Sequence, residues 1–331
     1  MQRKNTVFRL ALPVLALLAV GCTGTQVDFT RSYVPEEGGI NFMKVTDETQ
    51  ERLSTPNVQR TAGRMTWWGN PLFALNGDGT AIAYNTFKND KRNVFVRSLD
   101  VRAASTQRTF RTLVNDVCFS PDGRTLCFSE ITGNYSRLCL TDAEQGTVVQ
   151  QVSPVNTRDY GPRYSLDGKR IFFARADGGS YSIWSYELAT GSFSNYCMGL
   201  NPMPINDEEF LCTRMNSERN NEVWRINFVK GSESLIISQE GRSFTTASLS
   251  PDGQWIVCVS NTPSTDQPGS RENLDIYAVR TDGSRLTQLT YHQGDDCSPV
   301  WSPDGQYIYF LSQRGTEKGE YNIWRMNFNL Q

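Results

Sequence analysis

One histidine, His292, stands among 331 residues. Two carboxylates, Asp295 and Asp296, follow it within four positions, and a second polar group, Arg158-Asp159-Tyr160, precedes a similar stretch of chain. Arg242 falls between the two groups. These residue types suit proton transfer, anion contact or sugar contact. A lone imidazole cannot build a three-histidine metal site. No Gly-x-Ser-x-Gly elbow accompanies it, so a hydrolase of the nucleophile–histidine kind is not expected. Paired carboxylates of the glycosidase type stay open, because spacing in sequence does not reveal their separation in space. No phosphate loop or dinucleotide fingerprint occurs, and the expectation is no catalytic residue, no metal and no cofactor. Trp67 and Trp68 are the remaining candidates, because adjacent aromatics on a strand face opposite sides and one of them is free for a sugar or a protein.

Seven cysteines follow Cys22, at 118, 127, 139, 197, 212, 258 and 297. An odd number cannot pair fully within one chain, and the absence of Cys-x-x-Cys disfavours zinc and thioredoxin-like chemistry. Cys212 and Cys258 occupy a strand position that other segments fill with Tyr84, Phe128, Phe173 and Phe310, which marks them as core residues. Cys118 and Cys127 flank one turn and face each other across a hairpin. A disulfide there is an alternative to two free thiols, though a directly cross-strand bridge carries strain.

The elements that carry these residues repeat. Phe119-Ser120-Pro121-Asp122-Gly123, Tyr164-Ser165-Leu166-Asp167-Gly168, Leu249-Ser250-Pro251-Asp252-Gly253 and Trp301-Ser302-Pro303-Asp304-Gly305 share one signature. Leu75-Asn76-Gly77-Asp78-Gly79 is a degenerate copy, and Met203-Pro204-Ile205-Asn206-Asp207 has lost its glycine. Counting between Asp78, Asp122, Asp167, Asn206, Asp252 and Asp304, the steps are 44, 45, 39, 46 and 52 residues, the last enlarged by a polar insert around Thr262–Glu272. Proline presets φ, aspartate accepts local backbone hydrogen bonds and glycine supplies a positive φ, so each signature is a tight turn. A short apolar strand follows each turn. A third strand bears an aliphatic–aromatic pair: Val94-Phe95, Ile183-Trp184, Val223-Trp224, Ile276-Tyr277 and Ile323-Trp324, with Leu138-Cys139 in the second repeat. Fourth strands are expected at Thr147–Val152 and Arg285–Tyr291. Trp184, Trp224 and Trp324 recur at one position and read as packing between repeats. Six repeats of four antiparallel strands predict an all-β, six-bladed β-propeller of four-stranded antiparallel blades.

The Ser-Pro-Asp-Gly, aliphatic–aromatic and Leu-Thr elements resemble the TolB-type propeller repeat, a WD40-like design, over residues 63–331. The resemblance implies fold more than function, since this fold carries many activities. TolB itself is, by that resemblance, a periplasmic partner of an outer-membrane lipoprotein with an additional α/β domain for which this chain has no room. The sixth repeat ends at Gln331 without a fourth strand, while strand-like residues at Asn41–Val45 and Glu51–Ser54 have no blade of their own. The ring is therefore expected to be closed by an N-terminal strand from residues 40–56, the second stretch resembling a fourth strand.

Arg3, Lys4 and Arg9 precede an apolar run, Leu10 to Val20, that ends at Gly21-Cys22. This order reads as a signal peptide over 1–21, too short to span a bilayer. The run resembles a bacterial lipobox, with Cys22 as the lipidated residue. Residues 22–39 read as a flexible tether and 40–331 as the propeller. Removing 1–21 takes away three positive charges and leaves a formal net charge of −5, with no basic face for nucleic acid. Thr23 implies, by the resemblance to sorted lipoproteins, the outer membrane. Two functions are consistent with these features: an anchored scaffold that binds envelope proteins, and a binder or processor of glycans acting at the channel face.

Overall fold

The structure, a computed structural model, describes residues 40–46, 52–53, 58–61, 64–67, 72–88, 91–99, 104–147, 149–262, 273–315 and 320–330. The expected signal peptide, tether, Cys22 and Trp68 lie outside them, as do the side chain of Trp67 and most of the polar insert.

The described residues form a six-bladed propeller of antiparallel blades, with no helix among them. Blade three shows the plan: an inner strand Asp159–Tyr164, then Arg170–Asp177, Ser180–Glu187 and an outer strand Phe193–Met198, each paired with the next. Blades two, four and five repeat it with inner strands Val114–Phe119, Leu200–Pro204 and Phe244–Leu249. The outer strands expected at Thr147–Val152 and Arg285–Tyr291 are shorter, Val149–Gln151 and Thr287–Gln288.

The turn chemistry is local. In blade two the Ser120 hydroxyl donates to Asp122 Oδ1 (2.5 Å) and accepts from the Thr125 amide (2.9 Å), while Asp122 also accepts from the Arg124 amide (3.1 Å). Ser165, Ser250 and Ser302 make the same bonds, so the serine ties the turn to the strand that leaves it. In blade one Asn76 replaces the serine, its Oδ1 accepting from the Ala81 amide (2.8 Å).

Inner strands from blades two to six each carry a residue in left-handed conformation at one place: Asp116, Gly161, Asn201, Thr246 and Ser298. The strand register shifts there, which is the signature of a bulge. Blade one solves the same problem differently. Its inner strand comes in two pieces, Arg52–Leu53 and Phe73–Leu75, both paired with Ala81–Lys88. Between them, where other blades place the bulge, the chain makes a separate hairpin, Val58–Thr61 with Arg64–Trp67. Arg52–Leu53, from the second of the two strand-like stretches, is thus part of an inner strand and not a fourth strand.

Closure follows the expectation. Phe42–Lys44 pairs with Asn322–Asn327 as the outer strand of blade six, beyond Asp296–Trp301 and Tyr307–Ser312. The Phe42 ring meets Phe310 edge-on at 6.2 Å, and Thr46 Oγ1 accepts from the Ile323 amide (2.9 Å). The apolar core lies between adjacent blades, with second-strand aromatics such as Phe173, Phe210 and Phe310 fully buried. A turn-to-turn contact links blades one and six. Gly79, at φ +73°, leaves room for Pro303, and a Cβ there would come within 3.0 Å of its ring.

Candidate functional site

Six inner strands converge on a central cavity of about 420 Å³, running from the bulges to the Ser-Pro-Asp-Gly turns. Every blade contributes, and Phe73, Leu75, Phe119, Met203, Val300 and Tyr164 make its wall largely apolar. Three of the left-handed residues, Gly161, Asn201 and Thr246, line it. A threonine in that conformation stores strain, which persists only where the surroundings over-determine it. Here two blades do so: Asn201 Nδ2 donates to Thr245 Oγ1 across the blade boundary at 2.9 Å.

Arg163 is the single charged side chain on the wall among the described residues. Its Nη1 donates to the Pro162 carbonyl (2.9 Å) and, weakly, to that of Val117 (3.5 Å), bridging blades three and two. Burial pushes its pKa down, opposed by the neighbouring acidic groups Cys118 and Asp116. Cys118 shares the wall. Burial pushes its thiol up, but a hydrogen bond with Cys127 and the Arg163 charge outweigh that and hold it below the ordinary thiol range. Cys118 and Cys127 are directly opposed in register and are free thiols, not a disulfide.

The structure does not gather the residues singled out in the sequence at this cavity. Asp159 is fully buried and takes a bidentate pair from Arg175, Nε at 2.7 Å and Nη2 at 2.9 Å. The guanidinium lies 4.7 Å over Trp184. Asp296 repeats the arrangement with Arg314 at 2.6 Å, both side chains fully buried, and Arg314 sits 4.1 Å over Phe42. The two aspartates stand at equivalent positions, seven residues before Leu166 and Pro303, and both are fully buried. They lock an inner strand to the strand beside it. Burial pushes the Asp296 carboxyl up, Arg314 pulling against it.

Asp295 accepts from the Leu274 amide (3.1 Å) and the Tyr321 hydroxyl (2.9 Å). His292 is buried, and its Nδ1 accepts from the Gly294 amide (3.0 Å), a bond that needs an unprotonated Nδ1. Arg242 lies 4.5 Å over Tyr277 and donates to Ser260 Oγ at 3.0 Å. Tyr160 is half-buried, and burial raises its hydroxyl pKa. Among the described candidates only Arg158 is exposed, beside a shallow depression it shares with Tyr135 and Asp177. Trp67 ends the inserted hairpin. Among the described residues no group of three His, Cys, Asp or Glu is placed to hold a metal ion.

Sequence reasoning missed Arg163 and the cavity. Arg163 occupies a strand position that other repeats fill with Cys118, Met203, Ser248 and Val300, and a charge at that position was the available signal.

A profile of the family described as TolB beta propeller domain matches residues 70–267. A putative TolB from Agrobacterium tumefaciens superposes with a TM-score of 0.58 at 15% identity, covering 88% of this chain and 98% of that one. TolB from Acinetobacter baumannii gives 0.60 at 17% identity, over 77% and 65%. An oligogalacturonate lyase from Vibrio parahaemolyticus gives 0.54 at 14% identity, over 88% and 97%. At such identities the likeness is one of fold. In sequence, an uncharacterized protein of Agrobacterium fabrum is 41% identical over 59 residues, which span 18% of this chain and 19% of that relative.

Proposed function

The chain belongs to the TolB beta propeller family, and we propose that it is a lipid-anchored propeller of the cell envelope that binds protein partners without catalysing a reaction on them. The observation that carries this reading is the commitment of its acid–base candidates to the fold. Asp159, Asp295, Asp296 and His292 are each 2% exposed or less and each is hydrogen-bonded within the ring. A glycan-active site would need paired carboxylates beside exposed aromatics at the channel mouth, and these carboxylates are turned to other work. What a propeller with its polar groups so engaged offers to the outside is a rigid surface assembled from many blades, suited to a protein partner.

The anchor belongs to the same proposal. Each buried acyl CH₂ contributes about 0.8 kcal/mol, so several chains on Cys22 would hold the propeller at a membrane, with the outer membrane the expected one. The test is capture of the native protein from crosslinked membranes. A defined envelope protein, recovered reproducibly and absent from an uncrosslinked control, is the expected outcome. Recovery of the chain alone would sink the partner reading. Cys22→Ala should move the protein from the detergent phase to the aqueous phase; unchanged partitioning would remove the anchor.

A further inference from the structure

We propose that Cys197 and Cys212 form a thiol pair oxidised by hydroperoxides, a modification site at the boundary between blades three and four. Cys197 reduces the peroxide and Cys212 then closes a disulfide with it. This goes beyond the partner-binding reading and does not depend on it.

The course of the chain brings the two sulfurs together. Cys197 lies on the outer strand of blade three, one residue before its end, and Cys212 on the second strand of blade four, Glu209–Met215. A single residue, Gly199, joins that outer strand to the inner strand of blade four, Leu200–Pro204. The connection runs directly over Cys212: a Cβ on Gly199 would stand 3.4 Å from Cys212 Sγ and 3.2 Å from the Thr213 carbonyl oxygen. Cys197 packs against the apolar cluster that holds Cys212 with Phe172 and Phe210, and the two thiols are hydrogen-bonded to each other. Among the described residues Cys197 is the single thiol that is not buried. Arg214 completes the site. Its two Nη atoms hold Glu233 (2.7 and 2.8 Å) and its Nε donates to the Met198 carbonyl (3.0 Å), which fixes the guanidinium beside Cys197 across the blade boundary.

The two sulfurs differ in role. The hydrogen bond from Cys212, with the Arg214 guanidinium, outweighs burial and the Glu233 charge and holds the Cys197 thiol down at about 7. A large share of it is therefore thiolate at neutral pH. The same hydrogen bond, with burial, pushes Cys212 well above the ordinary thiol range, so it keeps its proton. A solvent-accessible thiolate beside a second, protonated thiol is the arrangement of a redox-sensing cysteine and its resolving partner. The Cys197 thiolate attacks the terminal oxygen of the hydroperoxide. The O–O bond breaks, an S–O bond forms, the sulfur loses two electrons, and the alkoxide or hydroxide that leaves takes a proton from water. The Cys212 sulfur then attacks the Cys197 sulfur. The S–O bond breaks as the S–S bond forms, and the departing hydroxyl leaves as water with the Cys212 proton.

The experiment treats the full-length protein with hydrogen peroxide, alkylates the remaining thiols and maps the peptides by mass spectrometry. The expected product is a linked peptide pair, Cys197 with Cys212, that dithiothreitol returns to two thiols. Cys212→Ser should lose the link and leave on Cys197 a sulfenic acid that dimedone traps. Cys197→Ser should leave Cys212 a free thiol. A wild-type Cys197 that stays a thiol at peroxide levels that oxidise free cysteine would overturn the proposal. So would linkage of Cys197 to a cysteine other than Cys212, and neither result requires a variant to fold. Oxidation of Cys212 at the wild-type rate in Cys197→Ser would remove the assigned order of attack and with it the proposal. Failure here leaves the crosslinking result untouched.

Discussion

Arg314 illustrates what a single side chain does in this ring. Its guanidinium lies between Asp296 of the inner strand and the Phe42 ring of the N-terminal strand, with no exposure to solvent. Removing one partner of such a pair leaves a buried charge without compensation. Arg314→Met should therefore destabilise the protein by about 3–5 kcal/mol, measured by urea unfolding. Asp296→Leu together with Arg314→Met should cost less than Arg314→Met alone, because no charge is then stranded; an additive double mutant would contradict this. The turn serines act at the same scale with smaller effect. Ser250 links Asp252 to the Trp255 amide, so Ser250→Ala should lower stability by about 1 kcal/mol and raise the pKa of Asp252 toward the ordinary carboxylate value, read by NMR titration.

Among the elements, the N-terminal strand has the largest structural consequence. Phe42–Lys44 supplies the outer strand of blade six, and its backbone continues in the Val45 amide's bond to the Ile323 carbonyl at 2.8 Å. Deleting residues 40–46 should lower the melting temperature by on the order of 5–10 °C, from lost ladder bonds and lost packing of Phe42. Deleting 23–38 should change it little, and equal effects would mean that the ring is held by other contacts. The joint between blades one and six can be probed separately. Gly79→Ala meets both a positive φ and the Pro303 ring, and should cost about 1–2 kcal/mol in the same assay.

For the molecule as a whole, acid sensitivity should come from the turn ring. Asp122, Asp167, Asp252 and Asp304 are held below the ordinary carboxylate range, in each case first by a serine hydroxyl. A carboxylate depressed in the folded state adds stability above its unfolded pKa, near 4, and loses it as pH falls through the folded value. The urea midpoint should be flat around neutrality and fall below about pH 4. Replacing all four aspartates by asparagine should lower the neutral midpoint and shrink that dependence. A variant that kept the full acid dependence would place its origin outside these turns.

The sequence alone determined six repeats, the turns that mark them and the segment, residues 40–56, that holds the closing strand, while the structure decided that Phe42–Lys44 is that strand. The turns were legible because the bonds that define a turn run over five residues. Ser250, Asp252 and Trp255 are neighbours in the chain before they are neighbours in space. Closure was legible for a similar reason, since a blade lacking a strand and a strand lacking a blade both show in a linear pattern. The equivalence of Asp159 and Asp296 was legible too, but not their partners. Nothing in the local pattern says which arginine, Arg175 or Arg163, receives a carboxylate and which lines the cavity. Tertiary structure decided that, along with the hairpin inserted into blade one's inner strand. It also decided the cavity itself, whose wall joins Phe73 to Val300 through six strands that meet only when the ring is complete. A turn is a property of a few consecutive residues, whereas an enclosed volume is a property of all the blades at once.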